Sequence, residues 1–234
     1  CSRNALTRYH EVVLRNATRV LYGKKHRNHH NRLNMKLLKV IASNPDDRYI
    51  DMAVDALREG EIIIYPTDSI YALGCDALNN NAIEQICKIK GIRSDKTNLS
   101  IICESISQVA EYARIDNKAF ALLKNNLPGP FTFILPALSK LPKAFKRRKT
   151  VGIRIPDNNV SSCLVHRLGN PIMTTSVKFE DIDYGCEPEL IAEQYANVAS
   201  LLIDAGRGDI TPSTIVDCTG EIPEIVREGK GELK

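Results

Sequence analysis

The apolar run Ile62-Ile63-Ile64-Tyr65 ends in Pro66-Thr67-Asp68-Ser69, and a second short apolar segment closes at Gly74. Pro66 cannot donate to a sheet ladder, so the chain leaves the sheet there. Two hydroxyls and a carboxylate then stand at a strand end, where polar groups that bind ligands gather. The same residues also read as a strand followed by a polar turn. Cations come next: Lys90, Arg93 and Lys96 lie beyond a helix end, and Arg154 interrupts an apolar strand. Cations stabilise phosphate groups where charge builds during transfer. A charged last turn favoured by the helix dipole is the plainer reading of the first cluster. Strand alternation puts Arg154 on the side opposite Ile153 and Ile155. Hydroxyls recur at Thr132, Thr174-Thr175-Ser176 and Ser213-Thr214, where they can also simply cap turns.

Positioning these groups takes alternating helices and strands. Residues 37–41 and 62–65 read as strands, separated by a helix that starts at Asn44-Pro45-Asp46-Asp47 and stops at Gly60. Helices follow at 81–90, 105–112, 117–126, 160–168 and 188–196. Further strands fall at 99–103, 131–135, 150–155, 171–175, 201–203, 213–217 and 224–226. Intermixed elements without repeats argue a single layered α/β (α+β) domain.

Composition narrows the class. The 234 residues suffice for one sizeable core. No apolar run reaches the roughly 18 residues that span a membrane, so no membrane association is expected. The seven cysteines form no Cys-x-x-Cys pair, which disfavours zinc and redox motifs. Scattered in apolar surroundings, they read as reduced thiols of a cytoplasmic protein. The net charge of +4 is unevenly placed: residues 1–34 hold eight Lys/Arg and one Asp/Glu, so residues 35–234 carry a net −3. Cys1, not Met, opens the chain, and Met35 begins what reads as a natural first strand. Residues 1–34 are expected to be a disordered or non-native basic extension, with residues 35–234 as the domain proper. A basic arm that binds RNA or an anionic surface is the alternative for the extension.

Five blocks in order resemble the YrdC domain family, whose members make threonylcarbamoyl-adenylate. They are the block from Ile62 to Cys75, Lys90-Gly91-Ile92-Arg93, Pro128-Gly129-Pro130-Phe131-Thr132, Val151-Gly152-Ile153-Arg154-Ile155-Pro156, and Thr174-Thr175-Ser176-Val177-Lys178. The resemblance covers roughly 45–228. It implies a twisted mixed sheet flanked by helices, with an open groove. It implies ATP with Mg²⁺, L-threonine and bicarbonate as reactants: threonine and bicarbonate give a carbamate, the carbamate attacks the α-phosphate, and pyrophosphate leaves. It also implies service to tRNA threonylcarbamoyladenosine (t6A) modification, with the downstream t6A transfer machinery as a partner. Carried over by position, Lys90, Arg93 and Ser176 are catalytic. Thr67 and Tyr71 hold threonine. Lys96, Thr132, Arg154, Thr175 and Ser213 hold the nucleotide. No protein metal ligand is implied.

The chain departs from the family pattern at two positions. In the frame Lys-x-Arg-x-x-x-Lys set by Lys90 and Lys96, Ile92 takes the arginine position and Arg93 is displaced by one. Lys178 stands two after Ser176, where the family has Asn. Asn offers a donor and an acceptor; Lys offers only a positive charge. Both changes, with Lys124-Asn125-Asn126 before Pro128-Gly129, make the chain similar to the YciO branch. A catalytically eroded protein that binds RNA or a nucleotide is therefore the alternative to the synthase.

The stretch from Lys140 to Lys149 has six basic residues in ten and no acid. It reads as a solvated loop or as a patch that tracks phosphates. The family's basic face is associated with double-stranded RNA and tRNA, and Lys143, Lys146, Arg147, Arg148 and Lys149 are the candidate contacts.

Overall fold

The computed structural model describes residues 35–91, 99–146, 149–178 and 185–234. The expectations for residues 1–34 lie outside them. Ten strands form one mixed sheet: β1 (Lys36–Lys39), β2 (Ile63–Tyr65), β3 (Ala72–Asp76), β4 (Ser100–Ile102), β5 (Phe131–Pro136), β6 (Thr150–Arg154), β7 (Ile172–Ser176), β8 (Leu201–Asp204), β9 (Thr214–Asp217) and β10 (Glu224–Arg227). Their spatial order is β1-β8-β2-β3-β7-β4-β6-β5-β9-β10. Seven described helices flank it: α1 (Asp47–Arg58), α2 (Asn80–Ile89), α3 (Ile106–Tyr112), α4 (Asn117–Asn126), α5 (Lys143–Lys146), α6 (Asn159–Leu168) and α7 (Pro188–Tyr195).

Short polar residues start most of the helices. Asp46, Asn79, Ser105, Asp116 and Asn158 each accept a backbone N–H of the first turn, which satisfies an otherwise orphaned donor. Gly60 at φ 82° follows α1, and Gly169 at φ 76° caps α6 in the left-handed region that favours glycine.

Two apolar clusters sit on opposite faces of the sheet. The larger unites α2, α3, α4, α5 and α7 with Ile64, Leu73, Ile101, Phe133, Ile153, Met173, Leu202 and Val216. On the other face α1 and α6 seal Leu38, Ile63, Ala72, Ile172, Leu201 and Ile203. That second cover stops at Ile102 of β4. Beyond it no described helix covers the outer faces of β6, β5 and β9.

Two elements were not anticipated. β3 has no alternation to reveal it, because Leu73 and Cys75 join one cluster while Ala72 and Gly74 face the other way. Gly74 is required there: a Cβ would lie 2.5 Å from the Tyr65 ring carbon Cε1. The basic stretch also contains the short helix α5, because Leu141, Ala144 and Phe145 are buried beneath it. Among the described residues no helix is long and apolar enough to cross a membrane.

Candidate functional site

The strands beyond α6 display polar and small side chains. Val151 and Ile153 of β6 enter the larger core, so Gly152 and Arg154 face the helix-free side. The register sets Ser100 beside both Gly152 and Thr174. A Cβ on Gly152 would come within 2.4 Å of Ser100 Oγ and 3.1 Å of Thr132 Cγ2, so glycine lets these hydroxyl-bearing strands close up. Thr132 and Ser213 share a hydroxyl–hydroxyl hydrogen bond of 2.9 Å. Tyr65 of β2 donates to Thr174 Oγ1 of β7 at 3.0 Å, across β3.

Arg154 is buried within this layer. It donates to Asp68 Oδ1 at 2.9 Å and to Ser69 Oγ at 3.0 Å. Asp68 Oδ2 accepts the Asp157 backbone N–H at 2.9 Å, so the carboxylate is held from both sides. The two side chains are only 6% and 8% exposed, and among the described residues Arg154 Nε has no hydrogen-bond partner. Burial pulls the arginine below its ordinary range, against the opposing pull of Asp68. Arg154 thus fixes the strand-end turn from beneath.

Arg227, at the end of β10, is the cation that sequence reasoning passed over. It donates to Ser213 O at 2.6 Å and to Ser213 Oγ at 3.3 Å. The residue is exposed overall, but its guanidinium is partly shielded, and that shielding and Arg154 together lower its pKa. The β9–β10 hairpin brings it back to Ser213, since Glu224 pairs with Asp217 and Arg227 with Ile215 across a bulge. The sequence reading ended that strand at 226, one residue short. A strand placed antiparallel to the Ser213–Asp217 strand was the available signal.

Thr67 and Tyr71 line a cavity of about 520 Å³ between the 66–71 turn and the 205–210 loop. Their polar atoms are already engaged. Thr67 Oγ1 donates to Ile70 O at 2.8 Å and accepts the Ser69 backbone N–H. The Tyr71 hydroxyl donates to Gly206 O at 2.7 Å and accepts from the Ala205 backbone N–H, while burial pushes its pKa up to about 12. Lys230 closes one side, donating to Asp68 O at 2.8 Å and pairing with Asp209 at 2.6 Å.

Lys90 caps the C-terminus of α2 and donates to Ser176 O at 2.6 Å. Burial first, and the Lys178 ammonium second, push its pKa down to about 8. Ser176 shares the side of Thr174 on β7, whereas Thr175 lies on the side of Met173 and pairs with Leu73. Arg93 and Lys96 fall outside the described residues, as do Arg147, Arg148 and the side chain of Lys146. Lys143 and Lys149 are exposed, and Phe145 between them is buried.

The family model described as "Sua5_yciO_yrdC: Telomere recombination" matches residues 55–229. Over 194 residues the chain is 39% identical to the Escherichia coli (strain K12) protein called "Uncharacterized protein YciO", covering 82% of this chain and 94% of that one. The crystal structure of E. coli YciO superposes with a TM-score of 0.79 at 37% identity, covering 85% of this chain and 97% of that one. The threonylcarbamoyl-AMP synthase of Coxiella burnetii (strain RSA 493) is 32% identical over 177 residues, 74% of this chain and 95% of that one. Pyrococcus abyssi Sua5 complexed with L-threonine superposes with a TM-score of 0.76 at 28% identity, covering 82% of this chain and 57% of that one.

Proposed function

The chain belongs to the Sua5/YciO/YrdC family, and we propose that it is a threonylcarbamoyl-AMP synthase acting in tRNA t6A modification. The reaction joins L-threonine, bicarbonate and ATP. The threonine amine takes up the bicarbonate carbon and releases water. A carbamate oxygen then attacks the α-phosphorus, and the bond to pyrophosphate breaks. The observation that carries this reading is Arg227 donating to Ser213 of the Thr132–Ser213 hydroxyl pair, near enough to the buried Arg154 for the two charges to act on each other. A cationic, hydroxyl-rich, helix-free sheet face suits a phosphate-bearing ligand, because fixed positive groups stabilise charge developing on phosphate oxygens. The adjoining cavity under the Thr67–Tyr71 turn has room for a small amino acid, as the L-threonine complex of Sua5 supports. Mg²⁺ would enter with the nucleotide. The described residues gather no group of three His, Cys, Asp or Glu side chains to hold an ion of their own.

A second reading rests on a specific observation: Arg154 is already paired with Asp68, and Lys178 stands at the asparagine position. On that reading the fold binds a nucleotide or double-stranded RNA without turnover, with exposed Lys143 and Lys149 among the RNA contacts. Pyrophosphate release from ATP by the full chain separates the two. Release that requires both threonine and bicarbonate supports the synthase. No release above background, with nucleotide or double-stranded RNA still bound, overturns it.

A further inference from the structure

Lys178 is a cation that the family pattern does not contain, and its surroundings are arranged to hold it. The Tyr195 hydroxyl binds its backbone on both sides, accepting from Lys178 N at 3.1 Å and donating to Lys178 O at 3.3 Å. Gln194 Nε2 donates to the same carbonyl at 3.2 Å. The backbone is thus pinned to α7 while the side chain stays exposed. Lys90 reaches the same place from α2 through its bond to Ser176 O. The Lys90 ammonium therefore sits on the Ser176 carbonyl at the end of β7, two residues before Lys178, and the Lys178 charge acts on it. Among the described residues neither lysine has an ion-pair partner, and Lys178 is the one charged group that acts on Lys90. Holding like charges together is unfavourable unless an anion joins them.

We propose that Lys178 and Lys90 form a two-ammonium clamp for the terminal phosphates of a nucleoside triphosphate, with Lys178 taking the place of the absent asparagine. This deepens the nucleotide reading given above and rests on it. The clamp differs from an asparagine contact in kind. Asn would orient the ligand through a donor and an acceptor, whereas a second ammonium recognises charge alone.

The pH dependence has a definite sign. In the free protein Lys90 loses its proton near pH 8. A bound polyphosphate favours the charged lysine, so binding draws a proton and weakens as pH rises through about 8. Removing Lys178 takes away one of the two causes of the low pKa, so the weakening should begin at higher pH.

The test is ATP affinity from pH 7 to 10 for the full chain and for Lys178→Met and Lys178→Arg, without threonine or bicarbonate. The ATP phosphates titrate identically in all three experiments, so differences report the protein. Lys178→Met should weaken ATP binding about tenfold at pH 7.5, the loss of one exposed charge contact, and shift the fall-off upward. Lys178→Arg should restore both. Unchanged affinity in Lys178→Met overturns the clamp, and so does an unchanged fall-off pH. No turnover is needed. A protein that binds ATP through Lys178 but releases no pyrophosphate keeps the clamp and loses the synthase. One that turns over with unaltered ATP dependence in Lys178→Met keeps the synthase and loses the clamp.

Discussion

One face of the sheet carries two different surfaces. Under α1 and α6 it presents Leu38, Ile63, Ile172, Leu201 and Ile203, all nearly water-free. A few strands along, the same face presents Ser100, Gly152, Arg154, Thr132 and Ser213, with Thr132 bonded to Ser213 and Arg154 to Asp68 and Ser69. Strand alternation is identical in both halves. What differs is the cover. A helix laid on a sheet offers apolar side chains and no hydrogen-bond partners, so only apolar residues are stable beneath it. Where no helix lies, polar groups can be buried only by satisfying one another. The apolar half is stability; the polar half is the candidate site.

Breaking the buried ion pair should have the largest effect. Asp68→Ala leaves the Arg154 guanidinium buried without its carboxylate, which costs about 3–5 kcal/mol. For a domain of this size that lowers the melting temperature by roughly 10 °C or more. Pairing it with Arg154→Met should recover most of the stability, because both charges then leave together, but not ATP or threonine binding. Thermal melts of the two single variants and the double variant make the cycle. If Asp68→Ala melts like the parent, the polar half is not held together by this pair.

Next in size is the apolar half. Leu57 is fully buried on α1. Leu57→Ala removes its packing and leaves a cavity, for about 3 kcal/mol. Chemical denaturation should show that loss while ATP affinity stays within about twofold. A large change in affinity would mean that the two halves are coupled and the contrast is not functional.

Much of this arrangement was legible from residues close in sequence. The caps at Asp46, Asn79, Ser105, Asp116 and Asn158 are local signals, and the side taken by Arg154 follows from a period of two. The partners are a different matter. Asp68 and Arg154 lie 86 positions apart, and nothing at either position announces the other. Arg227 acquires meaning only when a hairpin returns it to Ser213. β3 hides because it is buried on both faces and so shows no alternation. The Lys90 contact with Ser176 likewise depends on where α2 ends relative to β7. Spacing therefore located the chemical groups, and topology decided which of them meet.

The smallest effect is expected where the two surfaces join. Tyr65 places its ring in the apolar cluster over Gly74 and its hydroxyl on Thr174 in the polar layer. Burial raises the phenol pKa well above its ordinary value, so the group stays a neutral donor across the working range. Tyr65→Phe keeps the ring and deletes only the donor. Thr174 Oγ1 then loses its partner at a cost of about 1 kcal/mol, or roughly 3 °C in melting temperature. If the hydroxyl only orders the layer, the melting loss should be independent of pH between 6 and 9 and ATP affinity should change little. A loss of binding far beyond the loss of stability would move Tyr65 from the seam into the site. The boundary between the two surfaces would then lie one strand closer to α1 than the hydrogen bonds place it.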